Sequence, residues 1–275
     1  VLTIHNLSIK FNDSVGGEAV RGVNLHMEAG EILGLVGESG SGKTMTALAI
    51  AGLVERAKTE TAGQILFEGR DLLTMKRSEL RRIQGREIGF VFQEPMSSLN
   101  PLMRIGRQIE EPLRLHTDMP ADKRREAALR MMELTELPEP ELSYKKYPHQ
   151  MSGGQRQRAM IASAVILGPK LLIADEPTTA LDVTVQGQIL KLLRDINQRQ
   201  KAAILFISHD LSVVRRLCSR IAVMKEGLIV EEGEVREIFD APKNEYTRNL
   251  IDSMLSRSKR IRGDLRNGQS GLRDS

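Results

Sequence analysis

An α/β fold built on a mostly parallel sheet, with helices on its faces, is what this 275-residue sequence predicts. Three observations predict it. Short apolar runs of strand length alternate with longer amphipathic segments of helical period. A glycine-rich turn joins one such strand directly to one such helix, at "EILGLVGESGSGKT". Two further apolar runs stop abruptly at polar residues, "LLIADE" and "AILFISHD".

The elements follow in order. "LTIHNLSIKF" alternates, with Leu2, Ile4, Leu7 and Ile9 among polar residues, and "GVNLHMEAGEI" does likewise before turning at "EAGE". "EILGLVG" is a short buried strand and "TMTALAIAGLV" the helix after it. "GQILFEGRDL" and "REIGFVFQ" read as two more strands. From about Ser97 to Leu167 the helical period dominates, most clearly in "ADKRREAALRMMELTEL". After Gly168-Pro169 the alternation resumes: strand "KLLIADE", helix "DVTVQGQILKLLRDINQRQ", strand "AAILFISHD", helix "LSVVRRLCSRI". A hairpin turning at Glu226-Gly227 and a short helix, "YTRNLIDSML", complete the pattern. The chain thus divides into one domain, 1–255, whose core (1–96 and 168–255) carries an inserted helical lobe (97–167), and a basic tail, 256–275, that reads as disordered.

Composition narrows the function. Tryptophan is absent and aromatics are 3%, too few for a surface that stacks single-stranded bases. The last twenty residues hold six basic and two acidic side chains, an excess equal to the whole net charge of +4. The body is therefore close to neutral, and no nucleic-acid partner is expected. One cysteine, Cys218, excludes an intrachain disulfide and a cysteine-based metal site. No apolar run approaches the roughly 18–20 residues that span a bilayer. No signal peptide is visible, so a cytoplasmic protein is expected, one that reaches a membrane only through a partner.

Chemistry concentrates at three places. "GESGSGKT", followed by Met45, places Gly37, Glu38, Ser39, Gly40, Ser41, Gly42, Lys43 and Thr44 between a strand and a helix. Glycines let successive backbone N–H groups turn inward around phosphate oxygens, and the helix terminus adds about half a positive charge. Lys43 would reach the β/γ phosphates and Thr44 would ligate Mg²⁺. No Asn-Lys-x-Asp segment for reading guanine is present. The second place is the end of "LLIADE", where Asp175 and Glu176 face different ways because strand side chains alternate. One can hold Mg²⁺ through water while the other polarises an attacking water. Gln93 and His209 also close strands, so a parallel sheet brings them to the same edge. The third place is "MSGGQ", where Ser152, Gly153, Gly154 and Gln155 open a second anion-binding turn near the start of a helix.

These motifs, in this order, resemble the ATP-binding subunits of ABC transporters over nearly the whole chain. "GESGSGKT" looks like their Walker A motif, "LLIADE" their Walker B motif and "MSGGQ" their signature, with Met for the commoner Leu. Gln93 fits the Q-loop, "TALD" with Asp182 the D-loop, His209 the switch histidine, and Phe11 the aromatic that stacks on adenine. The resemblance implies a RecA-like core with an N-terminal antiparallel β lobe and a helical lobe bearing the signature. It implies ATP and Mg²⁺ as ligands, with Thr44, Gln93 and Asp175 arranging the metal, Glu176 activating water and His209 holding the γ-phosphate. Two ATPase subunits would sandwich ATP, the signature of each completing the other's site, and two membrane permeases would be driven from the inner face of the cell membrane.

"FQEPMSSLNP", "YPHQMSGGQRQR", "ADEPTTALDVTVQGQIL" and "APKNEYTRNLI" are similar to importers of dipeptides, oligopeptides and nickel. That likeness, through "EPTTALDVTVQ", implies that this chain is the D type of two paired ATPases, that the second is a different chain, and indirectly an extracytoplasmic solute-binding protein. Peptide members often add a C-terminal cysteine cluster for an iron–sulfur centre. Cys218 alone implies none, and the short tail is more like the nickel or metal-chelate members. Exporter ATPases and ABC-type DNA-repair ATPases are the alternatives. "QEPMSSLNP" argues against the first, and the short, cysteine-free insertion with a neutral body against the second.

Overall fold

A computed structural model describes residues 1–12 and 17–254. The expected basic tail, 256–275, lies outside the described residues. Strands β1 (Leu2–Phe11) and β2 (Glu18–Met27) form an antiparallel pair, and β3 (Ile32–Val36) runs into the glycine loop and helix α1 (Lys43–Ile50). Next come β4 (Thr59–Phe67), β5 (Arg70–Asp71), α2 (Arg77–Ile83) and β6 (Ile88–Val91). The helical block follows: α3 (Pro95–Ser98), α4 (Ile105–His116), α5 (Ala121–Leu134), α6 (Pro140–Lys145), a 3₁₀ turn at Pro148–Gln150, and α7 (Gly153–Val165). The core resumes with β7 (Leu171–Asp175), α8 (Val183–Gln200), β8 (Ala203–Ser208), α9 (Leu211–Leu217), β9 (Arg220–Lys225), β10 (Leu228–Glu234) and α10 (Val235–Asp240). Residues 245–254 are helical.

Two sheets form among the described residues, one ordered β2-β1-β4-β5 and the other β10-β9-β3-β8-β7-β6. The first is antiparallel throughout. The second is parallel from β9 to β6, with β10 added antiparallel. Its strands are buried on both faces, which is why β3, β7 and β8 read as unbroken apolar runs. Alternation then sends their side chains two ways. Leu33, Leu35, Leu171, Ile173, Leu205 and Ile207 pack toward the antiparallel sheet and α1. Ile32, Val36, Leu172, Ala174, Ile204 and Phe206 pack toward the helical lobe, α8 and α9.

The lobe coheres because α4 packs on α5, α6 and α7. A Cβ on Gly106 would lie 2.0 Å from the Tyr144 ring, so only glycine lets α4 and α6 approach this closely. The Tyr144 hydroxyl donates to buried Glu110. Burial, then that hydrogen bond and the Glu110 charge, pushes the Tyr144 phenol up to about 12.

Two expectations are corrected. "GQILFEGRDL" is not one strand: Glu68 and Gly69 both take positive φ, 50° and 74°, and turn β4 back into β5. Helix "LSVVRRLCSRI" stops at Leu217, because the Ser219 N–H is drawn to Ile32 O at 3.0 Å as β9 joins the sheet beside β3.

Candidate active site

The glycine loop is framed by neighbours distant in sequence. A Cβ on Gly37 would meet Met224 O at 2.1 Å, and one on Gly42 would meet Ala19 O at 2.4 Å. Both have φ in or near the region that excludes other residues, 155° and 104°. Gly227, in the predicted β9–β10 turn, donates its N–H to Ser41 O at 3.0 Å. Lys43 is 5% exposed and folds back inside the loop, donating to Gly37 O, Glu38 O and Ser41 Oγ at 2.9, 2.7 and 3.2 Å. Burial holds its ammonium below the ordinary lysine value, against the pull of Glu176, Asp175 and Glu38. The loop thus holds one desolvated cation against its own carbonyl oxygens, while Glu38, Ser39, Gly40 and Thr44 remain exposed and Met45 half-buried.

The two carboxylates separate, though not by strand alternation: β7 ends at Asp175 and Glu176 lies beyond it at φ 45°. Asp175 ends β7 buried, and its Oδ1 has no hydrogen-bond partner. Burial raises its carboxyl above the ordinary value; the Thr44 hydroxyl counters this, Glu176 reinforces it and Lys43 counters it. An orphaned carboxylate oxygen beside a threonine at a helix N-terminus fits a hydrated divalent cation.

Glu176 points the other way, into a cluster. Its Oε1 lies 3.0 Å from His209 Nδ1, at the end of β8, and its Oε2 accepts from Gln93 Nε2 at 3.2 Å and Thr179 Oγ1 at 2.9 Å. Its backbone takes φ 45°, a left-handed conformation rare outside glycine. The expected convergence of Lys43, Gln93, Asp175, Glu176 and His209 on one sheet edge is therefore the arrangement found.

The second glycine motif stands apart, on the helical lobe. Its helix begins at Gly153, with Ser152 as cap. Ser152 Oγ accepts the Gln155 N–H at 3.3 Å, and Gln155 Oε1 accepts the Ser152 N–H at 3.1 Å. Ser152 and Gly153 are exposed, whereas a Cβ on Gly154 would press Val185 Cγ1 at 2.8 Å. Val185 is in the first turn of α8, which Asp182 caps by accepting the Thr184 and Val185 N–H groups at 3.0 and 2.9 Å. Among the described residues no hydrogen bond joins this motif to the glycine loop. Phe11 ends β1 half-exposed.

Two residues escaped the sequence reading. Thr179 lay inside the quoted "TALD" without a role. Arg158 is buried on α7 and bridges lobe to core, donating to Thr135 O at 2.7 Å, Glu136 Oε2 at 3.1 Å and Gln188 Oε1 on α8 at 2.9 Å. An arginine on the otherwise apolar side of "RAMIASAV" was the available signal for Arg158.

Comparison with known proteins identifies the family. The family model described as ABC transporter matches residues 20–179. The oligopeptide transport ATP-binding protein OppD of Bacillus subtilis is 48% identical over 257 residues, which cover 92% of this chain and 72% of that protein. The dipeptide transport ATP-binding protein DppD of Lactococcus lactis is 46% identical over 256 residues, covering 92% and 73%. A dimeric ATP-binding cassette solved in a post-hydrolysis state with ADP and phosphate superposes with a TM-score of 0.77 at 30% identity, over 86% of this chain and 99% of that one. The cbiO1 subunit from Clostridium perfringens, part of an ABC transporter complex, gives 0.75 at 26% identity over 96% and 98%. The family model spans more than half of the chain and the peptide-transport relatives nearly all of it, so the chain belongs to the ABC transporter family as an ATP-binding, ATP-hydrolysing member.

Proposed function

We propose that this chain is the ATPase of a peptide importer and that its own residues divide the work as follows. The observation that carries the reading is the carboxylate of Glu176, to which Gln93, Thr179 and His209 all turn, beside Lys43 and Asp175. Gly37 through Met45 wrap the phosphates in backbone amides, Lys43 supplies positive charge against the β/γ oxygens, and Phe11 stacks on the adenine. Thr44, Asp175 and Gln93 would hold Mg²⁺, which when bound neutralises charge on the phosphate oxygens. Glu176 accepts a hydrogen bond from the attacking water and polarises it, work worth roughly 10²–10⁴ in rate. His209 holds Glu176 through Nδ1 and presents its other nitrogen to the γ-phosphate.

Ser152 and Gly153 face outward, with Gly154 and Gln155 behind them, because the phosphate these four residues contact belongs to a second ATPase subunit, a different chain that pairs with this one as the D type. Phe92, Met96 and Leu102 are exposed in the segment between β6 and α4, beside Gln93. We assign that segment to contact with a membrane permease, one of two, so that the protein works at the inner face of the cell membrane. No helix of the described residues is long and apolar enough to cross it. The names of the OppD and DppD relatives support peptides over nickel as the solute delivered by the binding protein. Disrupting the gene in its host tests this. Uptake of a labelled short peptide should be lost and nickel uptake kept; the reverse pattern overturns the choice of solute.

A further inference from the structure

The segment after α10 makes a contact that the reading above leaves unexplained. The Glu38 N–H, at the first turn of the glycine loop, donates to the Tyr246 hydroxyl at 3.1 Å, across 208 residues of sequence. Tyr246 is fixed from several sides. Its own N–H donates to Asn244 Oδ1 at 2.9 Å, the turn that starts the helix over 245–254. Glu231 on β10 anchors the preceding residues, accepting the Lys243 N–H at 2.7 Å and the Asn244 N–H at 3.1 Å. The Lys225 ammonium lies 5.0 Å from the centre of the Tyr246 ring. Burial raises the phenol above its ordinary value.

We infer that Tyr246 is a positioning residue of the phosphate loop: by accepting the Glu38 N–H it holds the loop's first turn in its binding shape and thereby sets the affinity for the triphosphate. The inference rests on the proposal that Gly37 to Met45 bind ATP. Its physical basis is pre-organisation. Glu38, Ser39 and Gly40 are exposed and Gly40 has φ 80°, so apart from the bonds that Glu38 O accepts from Lys43 and the Ser41 N–H this half of the loop has little packing to fix it. The opposite half is held by Met224, Ala19 and Gly227. A loop already in its bound shape loses less conformational freedom when the ligand arrives. The strap of residues 242–246 supplies on the exposed half what the β9–β10 turn supplies on the buried half.

Tyr246→Phe keeps the ring and its lysine contact and removes the acceptor. In the full chain, with ATP and Mg²⁺, its dissociation constant should rise roughly three- to tenfold, the range of one net hydrogen bond. KM for ATP should rise in step while kcat stays within about twofold, and the Glu38 amide should exchange with solvent faster. Asn244→Ala loosens the strap without touching the ring and should shift affinity the same way by less. It carries the test if Tyr246→Phe does not fold. Unchanged affinity in both variants overturns the inference, as does a fall in kcat with KM unmoved. Wild-type protein that fails to bind ATP, or Lys43→Ala that binds it normally, would instead overturn the assignment of the loop itself.

Discussion

His209 Nδ1 and Glu176 Oε1 lie 3.0 Å apart, joining the ends of neighbouring strands β8 and β7. Gln93, on the next strand's exit, and Thr179 hold the other carboxylate oxygen. The glutamate is thus aimed by three donors from three different segments.

Replacing that carboxylate by an amide separates binding from chemistry. Glu176→Gln should bind ATP about as tightly as wild type, since Lys43 and the glycine loop are untouched. Turnover should fall by roughly 10² or more, the lower range for loss of a general base. Measured ATPase turnover alongside an ATP titration checks this; undiminished turnover removes the assigned role.

The outward-facing glycine turn makes a claim about two chains. Ser152→Arg should leave ATP binding by the same chain intact and reduce turnover at the facing site at least tenfold, because arginine fills the space meant for the partner's phosphate. Ser152 also caps α7, so the variant should lose about 1 kcal/mol of stability. Assays well below its melting temperature keep the two effects apart. If ATP binding by the variant chain itself is lost, the motif acts within one subunit.

The Tyr144–Glu110 contact inside the helical lobe predicts an alkaline transition. The folded-state value, about 12, lies above the phenol's ordinary 10.0, so the unfolded chain releases this proton first. The stability that Tyr144 contributes is intact below about pH 10 and is lost as pH rises toward about 12. Tyr144→Phe should remove that part of the alkaline slope and, by leaving a buried Glu110 oxygen without its donor, cost about 1–3 kcal/mol near neutrality. Urea unfolding of both proteins from pH 8 to 11 measures it (~3 pH units bracketing the tyrosine range); equal slopes would sink the prediction.

What could be read without coordinates follows from how local each signal is. The glycine loop, the Asp175-Glu176 strand end and the helix start near Ser152 are contiguous in sequence and obey short-range geometry, so their places in the fold were legible. The core strands were legible because burial on both faces demands unbroken apolar runs. Tyr246 on the Glu38 amide and Arg158 on Gln188 were not, since each is a single side chain meeting a distant segment and leaves no periodic trace. The end of helix α9 was misjudged for a similar reason: Ser219 answers to Ile32 across the sheet, not to its own neighbours.

Glu176 sits at φ 45°, where glycine or asparagine would be more at ease. With the role proposed for Glu176, random drift under a demand for fold stability alone would carry this position away from glutamate, toward a sturdier protein without hydrolysis. Only continued use of the ATPase opposes that drift. In a lineage that kept the fold and abandoned the reaction, position 176 is where the sequence should change first.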